Sequence, residues 1–524
     1  MKKNRLTIIS FIIALFLLNN LSYGQAVKAK YEDDLDYDNC TSILVGKAAS
    51  VDGSTMTSHS CDSGTDRTWI NLVSRKKHKR GSETPVYLEP KRTEMPGDPE
   101  AIEAGFIPQI SETNAFINTA YPCLNEYQLA IGETTFGGKR EMRSGEGLID
   151  CPELYRLALE RAKTAREAIM VIDELTKKYG YNDVGECFTF ADPNETWHFE
   201  ILGPGKGKIG AVWAAVRVPD GNVGVSANAS RIRKINLDDK ENYMASDNVF
   251  SLAEELGFWN HESGEDFEFC YAYADRKSMG SRRREWRVLS LVAPSLNLDP
   301  NGENFPFSVK AEKKLYVQDV LGIFRNYYQD TPFDMTQTLT TVDRNGNTVK
   351  SSDANPFMDS DTRNLMNIPY ERTICCARAT YLTVTQSRNW LPDAIGGVVW
   401  LGYDNPATTP HTPFYCGINE MPESYMVDGR RKFRRDCAWW AFRQVSRLAC
   451  LKYQSMSVDI AKVWEEIESN AFSNQNEFEA KMVELYKSDP DKVKDMLTSY
   501  SKDLANDAVD RYWQLADDLW TKYK

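Results

Sequence analysis

The chain has 524 residues, with a formal net charge of −12, 42% hydrophobic and 26% charged side chains. That length can bury a large core and hold more than one subdomain. The acidic balance excludes the basic footprint of a nucleic-acid binder. Eleven cysteines are scattered without a CxxC spacing, so no disulfide connectivity can be read from them.

Residues 1–24 read as an export signal. Lys2, Lys3 and Arg5 precede an apolar core from Ile8 to Leu18, and Ser22-Tyr23-Gly24 supplies small residues for a signal peptidase. The apolar run is too short to span a bilayer comfortably. The expectation is therefore a protein exported to the periplasm or beyond, with no membrane attachment once the signal is removed. Residues 25–39 end in the acidic, aperiodic stretch Tyr31 to Asn39 and read as a flexible propeptide. Lipidation of Cys40 does not fit, because Asp38 and Asn39 stand where small and apolar residues would be needed.

Cys40 heads a β-type run through Ile43 to Val45. A turn at Asp52-Gly53 leads into a second run through Met56 and Thr57, and Asp62 returns toward the same end. Two such runs joined by a Gly-containing turn predict a hairpin. Residues 63–120 are proline-rich and loop-like, and 115–120 and 127–135 read as strands. A helix is predicted from Pro152, with Leu154, Leu157, Ala158, Ala162, Ala165, Ile169, Ile172 and Leu175 at helical spacing until Gly180. Strand patterns follow at 187–191, 196–202, 211–218 and 223–227. This order suits sheets packed between helices rather than alternating βαβ units, an α+β class.

Shorter helices are expected at 246–256 and 317–329, and strands at 373–386 and 396–403. Asp299-Pro300-Asn301-Gly302 and Asp343 to Asn347 lack the sixth-position Gly and twelfth-position Glu of a calcium loop, so both read as turns. After about residue 430 the chain is helical, with Trp439, Trp440, Trp464, Trp513 and Trp520 expected in core packing. The domains expected are residues 40–430 and a helical extension over 431–524 packed on them.

The stretch Cys40 to Met56 with Asp62 resembles the start of the mature dipeptidase A (PepD-like) family of N-terminal-nucleophile cysteine hydrolases. These are distant relatives of choloylglycine hydrolase, penicillin V acylase and the secernins. The likeness continues through Asn125–Glu141, Gly185–Gly203, Gly210–Gly221 and Ser226–Ile232. It implies a four-layer αββα sandwich. It also implies a self-processing cysteine dipeptidase, without metal or cofactor, that hydrolyses dipeptides or short peptides through a thioester on Cys40. The alternatives are a related amidase acting on bile-salt, penicillin V or acyl-homoserine lactone substrates, and a secreted binding protein whose site has decayed. A homo-oligomer is compatible with the sequence.

The chemistry follows from the residues. A freed Cys40 would offer a thiol as nucleophile and its own α-amine as base, and both titrate near neutral pH. In the precursor that amine is tied up in the Asn39–Cys40 peptide bond. The resemblance implies that Asp62 holds the amine and that Asn228 donates to the oxyanion, with Asn125 a second candidate donor. Glu126 and Glu133 are candidates for the substrate's ammonium. His59-Ser60-Cys61 stand where many relatives carry an arginine-containing run. His59 can replace that arginine only in part, which leaves Arg231, or an arginine from elsewhere, as the cation. The five histidines form no HExxH, and no GxSxG elbow or phosphate-binding loop occurs.

Overall fold

The run beginning at Cys40 forms strand β1 (Cys40–Val45) and the run after the turn forms β2 (Thr55–Cys61). The structure, a computed structural model, describes residues 40–64, 66–88, 102–274 and 278–524; the signal and propeptide expected over 1–39 lie outside them. Gly53 adopts φ +86° at the turn, where a side chain would be strained. Asp52 closes the turn by accepting from Ser54 N at 3.0 Å and Ser54 Oγ at 2.6 Å.

Two antiparallel sheets dominate the described residues. The further strands are β3 (Ala130–Gly137), β4 (Gly185–Ala191), β5 (Thr196–Leu202), β6 (Val212–Val218), β7 (Asn222–Ser226), β8 (Tyr381–Ser387), β9 (Val398–Tyr403) and β10 (Thr412–Tyr415). One sheet runs Ser308–Lys310, β7, β1, β2, β8, β9, β10. The other runs Tyr243–Ala245, β6, β5, β4, β3, Leu124–Asn125, Phe116–Asn118, Asn71–Val73. Antiparallel strand pairing within both sheets, with the longest helices gathered toward the C-terminal end, makes this an α+β fold.

The sheets meet through hydroxyl side chains rather than through large apolar ones. Ser42 Oγ lies 2.5 Å from Thr189 Oγ1, Thr57 Oγ1 2.7 Å from Thr189 Oγ1, and Thr134 Oγ1 2.5 Å from Ser226 Oγ. Gly132 on β3 fits because it has no side chain: a Cβ there would stand 2.3 Å from Ser58 O and 2.7 Å from Ser42 Oγ. Small residues on β1, β2, β3 and β4 thus bring the two sheets unusually close.

The helix expected from Pro152 to Gly180 is two helices, α1 (Cys151–Arg161) and α2 (Ala165–Tyr179). Thr164 interrupts the run as an N-cap, its side chain accepting from Glu167 N while Glu167 Oε2 accepts from Lys163 N at 2.8 Å. The Thr164 cap starts a new helix despite the continuing apolar period. Tyr155 of α1 donates to Gly132 O at 2.7 Å, and Trp213 of β6 donates to Asp173 of α2 at 2.9 Å.

The helix expected over 246–256 shrinks to Ser251–Glu255, since Ser246, Asp247 and Asn248 favour turns. That expected over 317–329 ends at Phe324, where Asn326 Oδ1 accepts from Tyr328 N at 3.0 Å and redirects the chain. Asp299 and Asp343 are turn residues: each carboxylate accepts from the backbone two residues on. Among the described residues no disulfide links the cysteines, and no helix is long and apolar enough to cross a membrane.

Helix α3 (Met279–Val292) lies beside β7, and α4 (Ala438–Ala449), α5 (Tyr453–Tyr486) and α6 (Pro490–Lys522) form the C-terminal region. Phe472 of α5 stacks on Trp400 of β9 at 3.9 Å between centroids, and Phe478 stacks on Tyr500 of α6 at 3.9 Å. Two buried ion pairs tie α5 to the sheet region. Arg388 contacts both Glu479 oxygens at 2.7 and 2.9 Å, and Arg325 and His411 share Glu468. Trp439 is buried, and Trp440, Trp464 and Trp513 pack against the core, whereas Trp520 is 57% exposed. It lies on the solvent-facing side of α6.

Candidate active site

Cys40 is the first residue of β1, and the sheet register sets its neighbours. On one side Ser42 opposes Ser226 of β7, so Asn228, two residues further, comes level with Cys40. Asn228 sits at φ +59°, a left-handed turn that asparagine tolerates better than most residues. Its Oδ1 accepts from Cys40 N at 3.1 Å and from Arg284 Nη2 at 2.9 Å, while its Nδ2 donates to Thr135 O at 2.7 Å. On the other side Cys40 opposes Cys61 of β2, which places Asp62 one residue past the pair.

Asp62 is buried. Its Oδ2 accepts from Arg372 Nη2 at 2.5 Å and from Ser60 Oγ at 3.2 Å, and its Oδ1 has no hydrogen-bond partner. Burial lifts the carboxyl above the usual range, against the pull of Arg372, Arg284 and His59. A buried acceptor with an unused oxygen costs free energy unless something reaches it.

Glu133 of β3 and His59 of β2 complete the cluster. Cys40 Sγ, a His59 ring nitrogen and a Glu133 carboxylate oxygen lie within 4.8 Å of one another, all three residues being buried. His59 Nε2 stands 3.3 Å from Glu133 Oε2. The His59 ring meets Tyr121 and Tyr381 edge-on, at 5.2 and 5.5 Å between centroids. Cys40 and His59 come from one sheet and Glu133 from the other. Burial, followed by the neighbouring Glu133, Cys61 and Asp62, pushes the Cys40 thiol well above its ordinary value. The buried thiol is therefore protonated at neutral pH.

Of the residues expected at the site, Cys40, Asp62, Asn228 and Glu133 come together; Asn125, Glu126 and Arg231 are engaged elsewhere. Asn125 donates to Leu159 O and Ala162 O, both at 2.9 Å, and accepts from Tyr127 N and Leu129 N. It closes the end of α1, with its amide spent on backbone. Glu126 accepts from Arg75 Nε and Ala115 N at 2.9 and 2.6 Å. Arg231 pairs with Glu285 at 2.9 Å and donates to Phe307 O.

The cations at the site are instead Arg284 and Arg372. Arg284 donates to Cys40 O at 2.5 Å and Thr41 Oγ1 at 2.9 Å, which fixes the first residue of β1 from outside the sheet. A sequence signal existed for Arg284: it shares an i, i+4 face with Val288 and Val292, all buried, so the helical period places a cation in the core. Arg372 lies in a loop with no such pattern. A further buried group, His198 with Glu200 at 2.8 Å, supports the segment after Asn228, since Glu200 also accepts from Ser230 Oγ, Arg231 N and Ile232 N.

The chain is similar to bacterial dipeptidases over most of its length. The chain is 26% identical to a probable dipeptidase of Latilactobacillus sakei, covering 78% of this chain and 80% of the relative. It is 25% identical to probable dipeptidase B of Lactococcus lactis, covering 82% and 84%, and 23% identical to dipeptidase A of Lactobacillus helveticus, covering 79% and 82%. The profile of peptidase family C69 matches residues 39–466, beginning one residue before the buried cysteine around which the site is built, and the chain belongs to that family.

Proposed function

We propose that this protein is an exported, self-processing cysteine dipeptidase with the αββα arrangement of N-terminal-nucleophile hydrolases. The observation that carries the reading is the pairing of Cys40, at the head of β1, with a buried Asp62 whose Oδ1 has no partner. In the uncut chain Cys40 N is an amide held by Asn228 Oδ1. Cutting the Asn39–Cys40 bond would turn it into an amine, and Asp62 offers an acceptor for its extra protons.

In the processing step, Cys40 Sγ attacks the Asn39 carbonyl carbon and the C–N bond breaks. The proton passes from sulfur to the Cys40 nitrogen, and a thioester links Asn39 to Sγ. Water then hydrolyses the thioester, leaving the Asn39 carboxylate and a free Cys40. In turnover, the amine takes the thiol proton and the thiolate attacks the dipeptide carbonyl. The C-terminal amino acid leaves with that proton, and water releases the N-terminal one. Glu133 stands opposite Cys40, where a buried carboxylate suits the ammonium that a dipeptide carries beside its scissile bond. An acyl-amide has no such group, which favours the peptide reading, as do the dipeptidase names of the relatives. Asn228 Nδ2 carries two N–H donors, and the one not given to Thr135 O can serve the oxyanion.

Intact mass and N-terminal sequencing of wild type beside Cys40→Ala test the reading. A wild type beginning at Cys40, a variant retaining residues before it, and hydrolysis of dipeptides over acyl-amides are expected. A wild type whose chain still continues upstream of Cys40 would refute self-processing.

A further inference from the structure

The Cys40–His59–Glu133 cluster has a second chemical meaning. One sulfur, one imidazole nitrogen and one carboxylate oxygen, all on buried residues, lie within 4.8 Å of one another. The set is borderline-soft and suits Zn²⁺ or Co²⁺ rather than Mg²⁺ or Ca²⁺, which prefer all-oxygen surroundings. His59 is already oriented as a ligand would be. Its Nδ1 faces Tyr381 OH at 3.4 Å, which leaves Nε2 directed at the cluster without a hydrogen-bond partner. Glu133 is steadied in turn, accepting from Thr135 Oγ1 at 3.1 Å. Outer contacts of this kind orient metal ligands.

Three donors make an open site; a fourth closes it. The α-amine of an N-terminal cysteine can join its own thiolate in a five-membered chelate ring. A chain cut before Cys40 would thus offer sulfur, two nitrogens and an oxygen, the number that a tetrahedral ion takes when no position remains for substrate or water.

We propose that the mature protein binds one Zn²⁺ through Cys40 Sγ, the Cys40 α-amine, His59 Nε2 and Glu133, and that this ion switches the hydrolase off reversibly. Binding releases the thiol proton to solvent and forms the metal–thiolate bond; no redox step is involved. The ion occupies nucleophile and base together, and it takes the carboxylate that would otherwise meet the substrate's ammonium. A cell compartment that raises free zinc would silence the enzyme, and a chelator would restore it. The three side chains stand on geometry alone, whereas the fourth ligand rests on the proposed cleavage at Cys40.

The test is titration of the metal-stripped full chain with Co²⁺, its N-terminus first determined by intact mass. One equivalent should bind, with a thiolate-to-cobalt charge-transfer band that Zn²⁺ removes on displacing the cobalt. The band should vanish in Cys40→Ala. In His59→Gln and Glu133→Gln the affinity should fall on the order of tenfold or more, with thermal unfolding verifying that each variant is folded. Added Zn²⁺ should abolish dipeptide hydrolysis, and a chelator should recover it. A chain cut at Cys40 that gives no band, or a band unmoved in both His59→Gln and Glu133→Gln, overturns the metal site and leaves self-processing standing. An uncut chain that gives a weaker band overturns the maturation reading and the fourth ligand, and leaves the three-residue site.

Discussion

Replacing Gly132 by alanine tests how the site is assembled. The new methyl would stand 2.3 Å from Ser58 O and 2.6 Å from Thr189 Oγ1, well inside contact distance. The obstacle at Ser58 is backbone in the facing strand, so rotating a side chain cannot relieve it. The sheets must part by about 1 Å, and overpacking of this kind costs about 1–3 kcal/mol. Parting them also stretches the inter-sheet bonds of Thr189 Oγ1 to Ser42 Oγ and to Thr57 Oγ1, at about 1 kcal/mol each. The expected loss is therefore about 3–5 kcal/mol, a large share of the usual 5–15. Because Glu133 follows Gly132 on one sheet and Cys40 belongs to the other, dipeptide hydrolysis should fall as well. The assay is chemical denaturation with kcat/KM, beside Gly221→Ala, whose added methyl meets nothing within 4 Å. If Gly132→Ala unfolds like wild type and retains its activity, the close approach of the sheets does not set the site.

Other expected outcomes follow from burial and charge. Gly322→Ala, inside the helix Val317–Phe324 with open space around its Cβ, should stabilise by about 1 kcal/mol, read as a higher denaturation midpoint. Arg388→Met leaves Glu479 buried without its cation and should cost about 3–5 kcal/mol; pairing it with Glu479→Gln should recover much of that in a double-mutant cycle. Burial raises the Glu468 carboxyl, but Arg325 and His411 outweigh it and hold the group down to about 2. Its stabilisation is thus present above pH ~4.3 and lost as pH falls toward 2. Burial also keeps His411 neutral, so its protonation on unfolding adds to the loss below about pH 6.5. Denaturation midpoints against pH should flatten over the acid limb in Glu468→Gln. In Asp62→Asn, which retains the shape but loses the charge that acts on the Cys40 thiol, cleavage before Cys40 should slow more than unfolding changes, measured by mass against time.

Much of this arrangement was legible in the sequence, and the reasons differ by residue. The hairpin that aligns Cys40 with Asp62 is local: alternating runs, a glycine turn and an aspartate at fixed offset determine it. Asn228 came from resemblance, and the sheet register then brought it level with Cys40. Asn125 and Glu126 sit in a matching stretch yet spend their side chains on backbone and Arg75, because a motif records residue type and not which way a side chain turns. Arg372 is some three hundred positions from Asp62 in the chain, and no periodic pattern connects them. Thr164 carries a capping signal that divides the long helix, although the apolar period runs on through it. His59, read as a partial stand-in for an arginine, lies against Glu133 across the sheet interface, a contact that only tertiary packing creates.

The C-terminal hairpin of α5 and α6 has a consequence for shortening the protein. The family match ends at residue 466, just ahead of Glu468 and Glu479, the partners of Arg325 and Arg388. A product trimmed to that boundary would retain two interior cations without counter-ions, and would expose the flat faces of Trp400 and Tyr415. It should come out of expression as insoluble material or as prey for proteases. In natural homologues the two halves should change in concert: where the glutamate at position 479 is absent, the arginine at 388 should be absent too. The last helices are thus part of what the catalytic half requires in order to exist.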